Sequence, residues 1–272
     1  MTAEMQFGAR SDVGCVRENN EDSFRLAPEL NLFVLSDGMG GLASGEIASR
    51  LSVDTVVKHC SDAAANSSVP LEGKPIDGVS KASNRLASAV RLANRAVHDA
   101  AKQNGHDGRM GATLVAVHID GERLSIAHVG DSRIYRLRGG DFEQLTQDHS
   151  FVADQMLRGR MTAEEASGSA LQSVLIRAVG IEPEVDVDVN EELLMDGDTL
   201  LLCSDGLTRE LSDEQIAAIL GEAGGAQKAA DSLVDLAKRA GGRDNVTVIV
   251  LRSPSRPVGA LARIGKWLRH SR

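Results

Sequence analysis

The apolar run Leu32-Phe33-Val34-Leu35 ends in Ser36-Asp37 and leads into Gly38-Met39-Gly40-Gly41. A short apolar run bounded by turn residues reads as a buried strand, here over 31–36. Glycines after it let the backbone turn sharply and approach a ligand closely. A carboxylate at a strand end, beside a glycine carbonyl, suits a hard cation. The same grammar recurs at Glu21-Asp22, Asp131-Ser132, Asp205-Gly206 and Asp244-Asn245. Each sets an acid at a strand end or turn beside Gly, Ser or Asn. If the strands pair in one sandwich, these ends can converge. Converging carboxylates repel and raise one another's pKa, which divalent cations relieve. An all-oxygen set selects Mg²⁺ or Mn²⁺ over zinc or copper.

The chain has 272 residues, 42% of them hydrophobic and 25% charged, enough for a sizeable core. Aromatics are only 3%, so that core rests on Val, Leu, Ile and Ala. The net charge of -9 argues against nucleic acid as a partner. Residues 252–272 carry six Lys/Arg and no acid, which leaves residues 1–251 at -15. Cys15, Cys60 and Cys203 are scattered and odd in number, which favours reduced thiols over a disulfide framework or zinc site. No signal-peptide pattern or bilayer-length apolar run is present, so a cytoplasmic protein is expected.

Short strands are expected at Met5 to Asp12 and Asp22 to Leu26, then helices at Glu46 to His59 and Ser80 to Gln103 around a surface loop at Ser61 to Gly78. Strands at 114–117, 124–129, 134–137 and 142–145, joined by Asp120-Gly121 and Gly139-Gly140 turns, read as one antiparallel meander. Residues 147–172 form a polar insertion with a helix at Thr162 to Ala166, a pattern typical of lids and binding segments. Strands follow at Val185 to Val189, Thr199 to Cys203 and Val246 to Leu251. Helices are expected at Ser212 to Leu220, opened by a Ser212/Gln215 capping box, and at Ala226 to Ala240, ended by Gly241-Gly242. Antiparallel strands with two separated groups of long helices predict an α+β sheet sandwich flanked by helices.

Arg17, five residues before Asp22, could supply a guanidinium for bidentate phosphate recognition. With it the motifs become specific. Arg17 to Asp22, Asp37 to Gly41 with Gly45-Glu46, Gly111-Ala112-Thr113, Gly130 to Arg133, Arg177 to Gly180, Ser204 to Leu207 and Gly242 to Asn245 resemble, in order, the bacterial metal-dependent serine/threonine phosphatases of the protein phosphatase 2C family. The resemblance covers roughly residues 7–251. It implies a four-layer α/β/β/α sandwich of two antiparallel sheets between helix pairs, a binuclear Mn²⁺/Mg²⁺ centre, and hydrolysis of phosphoserine and phosphothreonine. By the same resemblance Asp37 bridges two metals, Gly38 gives its carbonyl to the second, and Asp205 and Asp244 hold the first. Asp22, aided by Glu21, binds or orients metal waters; Asp131 holds a third, weaker metal; Arg17 binds the substrate phosphate; and 147–172 is the flap. Animal members of the family commonly carry a histidine, a proposed general acid, where this chain has Met39. Bacterial members often have Met there, so a metal-bound water or another group, with His128 and His149 as candidates, must protonate the leaving group.

The partners so implied are phosphorylated proteins, among them a Ser/Thr kinase and its targets, acted on by a monomer. The alternatives are a pseudophosphatase acting as a binding module, another two-metal hydrolase, and a partner-switching phosphatase of an anti-sigma-antagonist pathway. Beyond Pro254 and Pro257, Leu261, Ile264, Trp267 and Leu268 fall on one face of a short basic helix pattern. Such a tail can fold back on the acidic body or associate weakly with an anionic surface.

Overall fold

A computed structural model describes residues 5–40, 44–103, 105 and 109–254. The strands are β1 (Gln6–Asp12), β2 (Asp22–Ala27), β3 (Leu32–Met39), β4 (Gly111–Ala112), β5 (Leu114–Asp120), β6 (Arg123–Val129), β7 (Arg133–Arg138), β8 (Asp141–Gln144), β9 (Asp188–Leu193), β10 (Thr199–Cys203) and β11 (Val246–Arg252). The helices are α1 (Ser44–Ala65), α2 (Lys81–Gln103), α3 (Phe151–Leu157), α4 (Ala163–Ser167), α5 (Asp205–Thr208), α6 (Asp213–Glu222) and α7 (Ala226–Ala240), with a 3-10 turn at Pro28–Leu30.

One sheet has the order β1-β11-β10-β7-β8; the other has β2-β3-β5-β6-β9, with β4 paired to β3. Every pairing is antiparallel. Strict alternation of side chains across each sheet explains the layers. In β3, Leu32 and Val34 pack with Ala48, Val53 and Val56 of α1 and with α2. Phe33 and Leu35 face the other way, into a core shared with Ile134, Leu200, Leu202 and Ile249 of the opposite sheet. In β10, Leu201 and Cys203 meet Ile216 of α6 and Leu233 of α7. The result is the expected α/β/β/α stack. Both faces of the inner strands are buried, so they read as continuous apolar runs.

The expected meander is the main topological error. β5 and β6 form a hairpin, and so do β7 and β8, but β6 pairs β9 while β7 pairs β10. Between them, at Gly130-Asp131-Ser132, the chain leaves one sheet for the other. Gly130 has φ +105 there, and a Cβ on it would lie 2.6 Å from Thr113. A β-turn and a crossover corner both need glycine, so the local sequence does not tell them apart.

Other expectations shift at their edges. β3 continues through Gly38 and Met39 because β4 pairs with both. α1 runs on to Ala65, through the start of the expected loop. Alanine is the best helix former, and a Lys58–Asp62 pair spans the extra turn. The strand expected at 185–189 begins at Asp188, where β6 supplies a partner. The insertion holds α3 as well as α4. Ser150 caps α3 by accepting from the Ala153 N–H, and Thr162 with Glu165 forms a capping box on α4. The insertion's stems are stitched by a Ser150–Leu175 bridge. The capping box of α6 and the glycine stop of α7 occur as expected. Arg252 still belongs to β11, and its guanidinium donates to the Leu220 and Ala223 carbonyls at the end of α6. The helix pattern at 261–268 lies outside the described residues.

Candidate active site

Seven of the eight expected site residues line one cleft of about 190 Å³: Arg17, Glu21, Asp37, Gly38, Asp131, Asp205 and Asp244. The eighth, Asp22, lies buried behind Asp37 as its cross-strand partner. The donors come from both sheets. Asp22 and Asp37 sit on β2 and β3, Asp205 and Asp244 follow β10 and precede β11, and Asp131 sits on the corner between sheets.

Local backbone fixes each donor. Asp37 N–H donates to Thr113 Oγ1 at 3.0 Å, and Thr113 Oγ1 shares a hydrogen bond of 2.7 Å with Ser132 beside Asp131. Gly38 N–H donates to the Glu21 carbonyl at 3.1 Å. A Cβ on Gly38 would lie 2.0 Å from the Gly45 carbonyl oxygen and 2.7 Å from that of Glu21. The glycine is therefore required by close packing of β3 on the start of α1. Asp205 opens α5, a helical turn that the sequence reading took for a bare turn. A Cβ on Gly206 would meet the Asn245 carbonyl oxygen at 2.0 Å, so α5 and the start of β11 interlock.

Two residues here have roles that the sequence did not assign. Asn245 accepts from Glu21 N–H at 2.8 Å and donates to the Val13 and Asn19 carbonyls at 3.0 and 2.9 Å. It clamps the Arg17 loop onto β11, and the Asp-Asn dipeptide was its signal. Arg209 pairs with Asp205 and lies 3.4 Å from Asp244 Oδ2. Nothing in its local sequence marks it. Arg17 donates to the same Asp244 oxygen at 2.9 Å.

The electrostatics are those of a buried cluster of mutually repelling carboxylates. Burial, then Asp22, Asp205, Asp131 and Asp244, hold the Asp37 carboxyl well above its usual range. Asp22 is pushed up to about 7 by burial, despite the hydrogen bond from Ser204. Asp131 reaches about 7 through burial and the neighbouring Asp205 and Asp148. Asp205 and Glu21 are raised chiefly by burial. Ser204 donates to Asp22 Oδ2 at 2.8 Å, while the buried Oδ1 has no protein partner among the described residues. Buried oxygens are normally satisfied. An orphaned carboxylate oxygen within an all-oxygen donor set fits divalent cations or their waters.

The two candidate histidines lie elsewhere. His128 donates to the Gln147 carbonyl at 2.9 Å, and His149 Nδ1 accepts from Gly130 N–H at 3.1 Å. Burial and the adjacent His128 and Arg177 bring His149 down to about 4. Neither histidine lines the cleft, whereas Met39 does. His128, His149 and Asp188 do place ligand atoms within 4.8 Å of one another. Arg177, however, donates to Asp188 there, which makes the cluster an ion-pair network at the base of the insertion.

Beside the cleft lies a groove of about 800 Å³ between the insertion and the β7–β8 hairpin. Asp131, Asp205 and Arg209 line both.

A model of the family described as "Protein phosphatase 2C" matches residues 16–243. The serine/threonine protein phosphatase PstP of Mycobacterium tuberculosis is 38% identical over 251 residues, which is 92% of this chain and 45% of that protein. The chain thus spans about half the length of this relative. Protein phosphatase PhpP of Streptococcus pneumoniae is 32% identical over 250 residues, covering 91% of this chain and 97% of PhpP. Among solved structures, the catalytic domain of PstP in complex with two manganese ions aligns with a TM-score of 0.77 at 37% identity, covering 91% of this chain and 97% of that one. On this similarity along nearly its whole length, the chain belongs to the protein phosphatase 2C family.

Proposed function

We propose that the chain is a metal-dependent protein serine/threonine phosphatase that counteracts a Ser/Thr kinase by hydrolysing phosphoserine and phosphothreonine on its targets. The observation that carries this reading is the convergence of Glu21, Asp22, Asp37, Asp131, Asp205 and Asp244 on one point. The manganese-bound PstP structure supports it. Two divalent cations at such a site activate water and offset charge on phosphoryl oxygens. Asp37, the Gly38 carbonyl, Asp205 and Asp244 would hold them. Asp22 and Glu21 would orient waters, and Asp131 would hold a third cation.

The remaining work falls to the chain's own groups. Arg17, half-exposed at the cleft mouth, would bind the phosphate and orient it for in-line displacement. Met39 cannot donate a proton, and among the described residues no histidine lines the cleft, so the leaving oxygen would take its proton from water or from another cleft group such as the raised Asp131 carboxyl. The catalytic unit would be residues 1–251 with 147–172 as its flap, acting as a cytoplasmic monomer. The basic tail would be dispensable for turnover and at most a weak, salt-sensitive surface anchor. Among the described residues no helix is long and apolar enough to cross a membrane.

The test is turnover of a phosphothreonine peptide after exhaustive chelation and again after Mn²⁺ is restored. Loss and recovery are expected. Full activity in the chelated protein would overturn the reading.

A further inference from the structure

Arg17 and Arg209 reach the same oxygen from distant parts of the chain. Arg17 Nη2 donates to Asp244 Oδ2 at 2.9 Å, and Arg209 Nη1 lies 3.4 Å from that atom. Through Nη2, Arg209 also pairs with Asp205 Oδ2. A single anionic oxygen therefore sits between two guanidiniums at the cleft wall.

Arg209 is rigidly mounted. It directly follows α5, between the buried Leu207 and Leu211. The next residue, Glu210, accepts from both Arg243 N–H and Arg243 Nε, each near 3 Å. The Arg209 side chain is nonetheless 29% exposed and lines both the cleft and the adjoining groove.

The third arginine nearby behaves differently. Arg133 is held by Asp148 through several hydrogen bonds and donates to Tyr135, so it is committed to the body of the protein. Arg17 and Arg209, by contrast, contact carboxylates that a divalent cation would also claim. Once those oxygens are taken, both guanidiniums remain in the lining of the cleft. A phosphoryl group offers three anionic oxygens, and guanidinium geometry matches them. A dianion between the forks would also relieve their mutual repulsion.

We propose that Arg209 is a second phosphate-binding residue, which together with Arg17 clamps the phosphoryl group while contacting Asp205 and Asp244, carboxylates the cations would also use. The inference rests on the phosphatase reading above and adds a residue to it. It has two separable consequences. Arg209 supplies hydrogen bonds to phosphate, and it competes with the cation for Asp205 and Asp244.

Isothermal titration calorimetry on the full chain tests both. Mn²⁺ is titrated into chelated wild type, Arg209→Met and Arg209→Lys, and inorganic phosphate is then titrated into each Mn²⁺-loaded protein. Arg209→Met should bind phosphate about tenfold more weakly or worse, the size of a lost charged hydrogen bond. It should also bind Mn²⁺ several-fold tighter. Arg209→Lys should fall between on phosphate, since it keeps the charge and loses the fork. Unchanged phosphate affinity in Arg209→Met would overturn the proposal. Weaker Mn²⁺ binding would overturn it too, because Arg209 would then be positioning the cation ligands. Should Arg209→Met fail to fold, Arg209→Lys decides: weakened phosphate binding supports the clamp, and wild-type affinity removes it. Peptide turnover by wild type separates the two ideas. Turnover with unaltered phosphate affinity in the variant sinks the clamp alone. Absent turnover with the expected affinity losses sinks the hydrolase reading and leaves the anion site.

Discussion

Asp22 and Asp37 face each other across the last rung of the β2–β3 ladder, so two acids meet directly across neighbouring strands. Such a rung is costly without a cation, because like charges opposite one another destabilise a sheet. Burial and neighbouring acids raise Asp22 to about 7 and hold Asp37 well above its usual range. The folded chain thus holds protons that the unfolded chain releases near pH 4. Stability from these groups is complete below that pH and is lost as pH rises through about 7. Chelated protein should therefore melt at a lower temperature at pH 8 than at pH 5, with Mn²⁺ restoring stability mainly at pH 8. Thermal melts at the two pH values, with and without Mn²⁺, check this; a chelated protein equally stable at both would contradict it.

Relieving the charge should separate stability from activity. Asp37→Asn should raise the melting temperature of chelated protein at pH 8. The same substitution should lower turnover of para-nitrophenyl phosphate by at least about 100-fold, the scale of lost metal-assisted stabilisation. A variant that is both stabler and fully active would refute the placement of Asp37 at the cation site.

Arg17→Ala should raise KM by about tenfold, consistent with a lost charged hydrogen bond, and lower kcat less. Steady-state kinetics on a phosphothreonine peptide measure both. A collapse in kcat at constant KM would assign Arg17 to the transition state instead.

Gly38→Ala should destabilise the fold as well as the site. Its Cβ would strike two backbone oxygens that cannot swing aside. Overpacking of this kind costs at least about 1–3 kcal/mol, readable as a lower urea midpoint. A wild-type midpoint would mean that β3 and α1 are less tightly docked than the geometry requires.

His149→Ala leaves Gly130 N–H without its acceptor at the corner that carries Asp131. A loss of about 1–3 kcal/mol in urea unfolding is expected. An unchanged midpoint would show that another group takes over the bond.

The layered fold was legible because its signals are local. Apolar strand runs, the Ser212 cap and the Gly241-Gly242 stop each announce themselves within a few residues. The acids were legible because Asp37, Asp131, Asp205 and Asp244 share one grammar of strand ends. What failed depends on partners far along the chain. Gly130 could serve a hairpin turn until β7, which follows it, is seen to pair with β10 of the second sheet. Arg209 is an ordinary helix-end arginine until Asp244 is folded against it. The short helix α3 was hidden because its capping signal at Ser150 lies inside a polar stretch.

The donors divide between the sheets, with Asp22 and Asp37 on one, Asp205 and Asp244 on the other, and Asp131 on the corner. Neither half of the sandwich holds a complete set. If these acids hold the cations, occupancy would require the two sheets to have docked in register. A chain with only one sheet formed would lack part of the donor set, so cation uptake would report complete assembly of the sandwich.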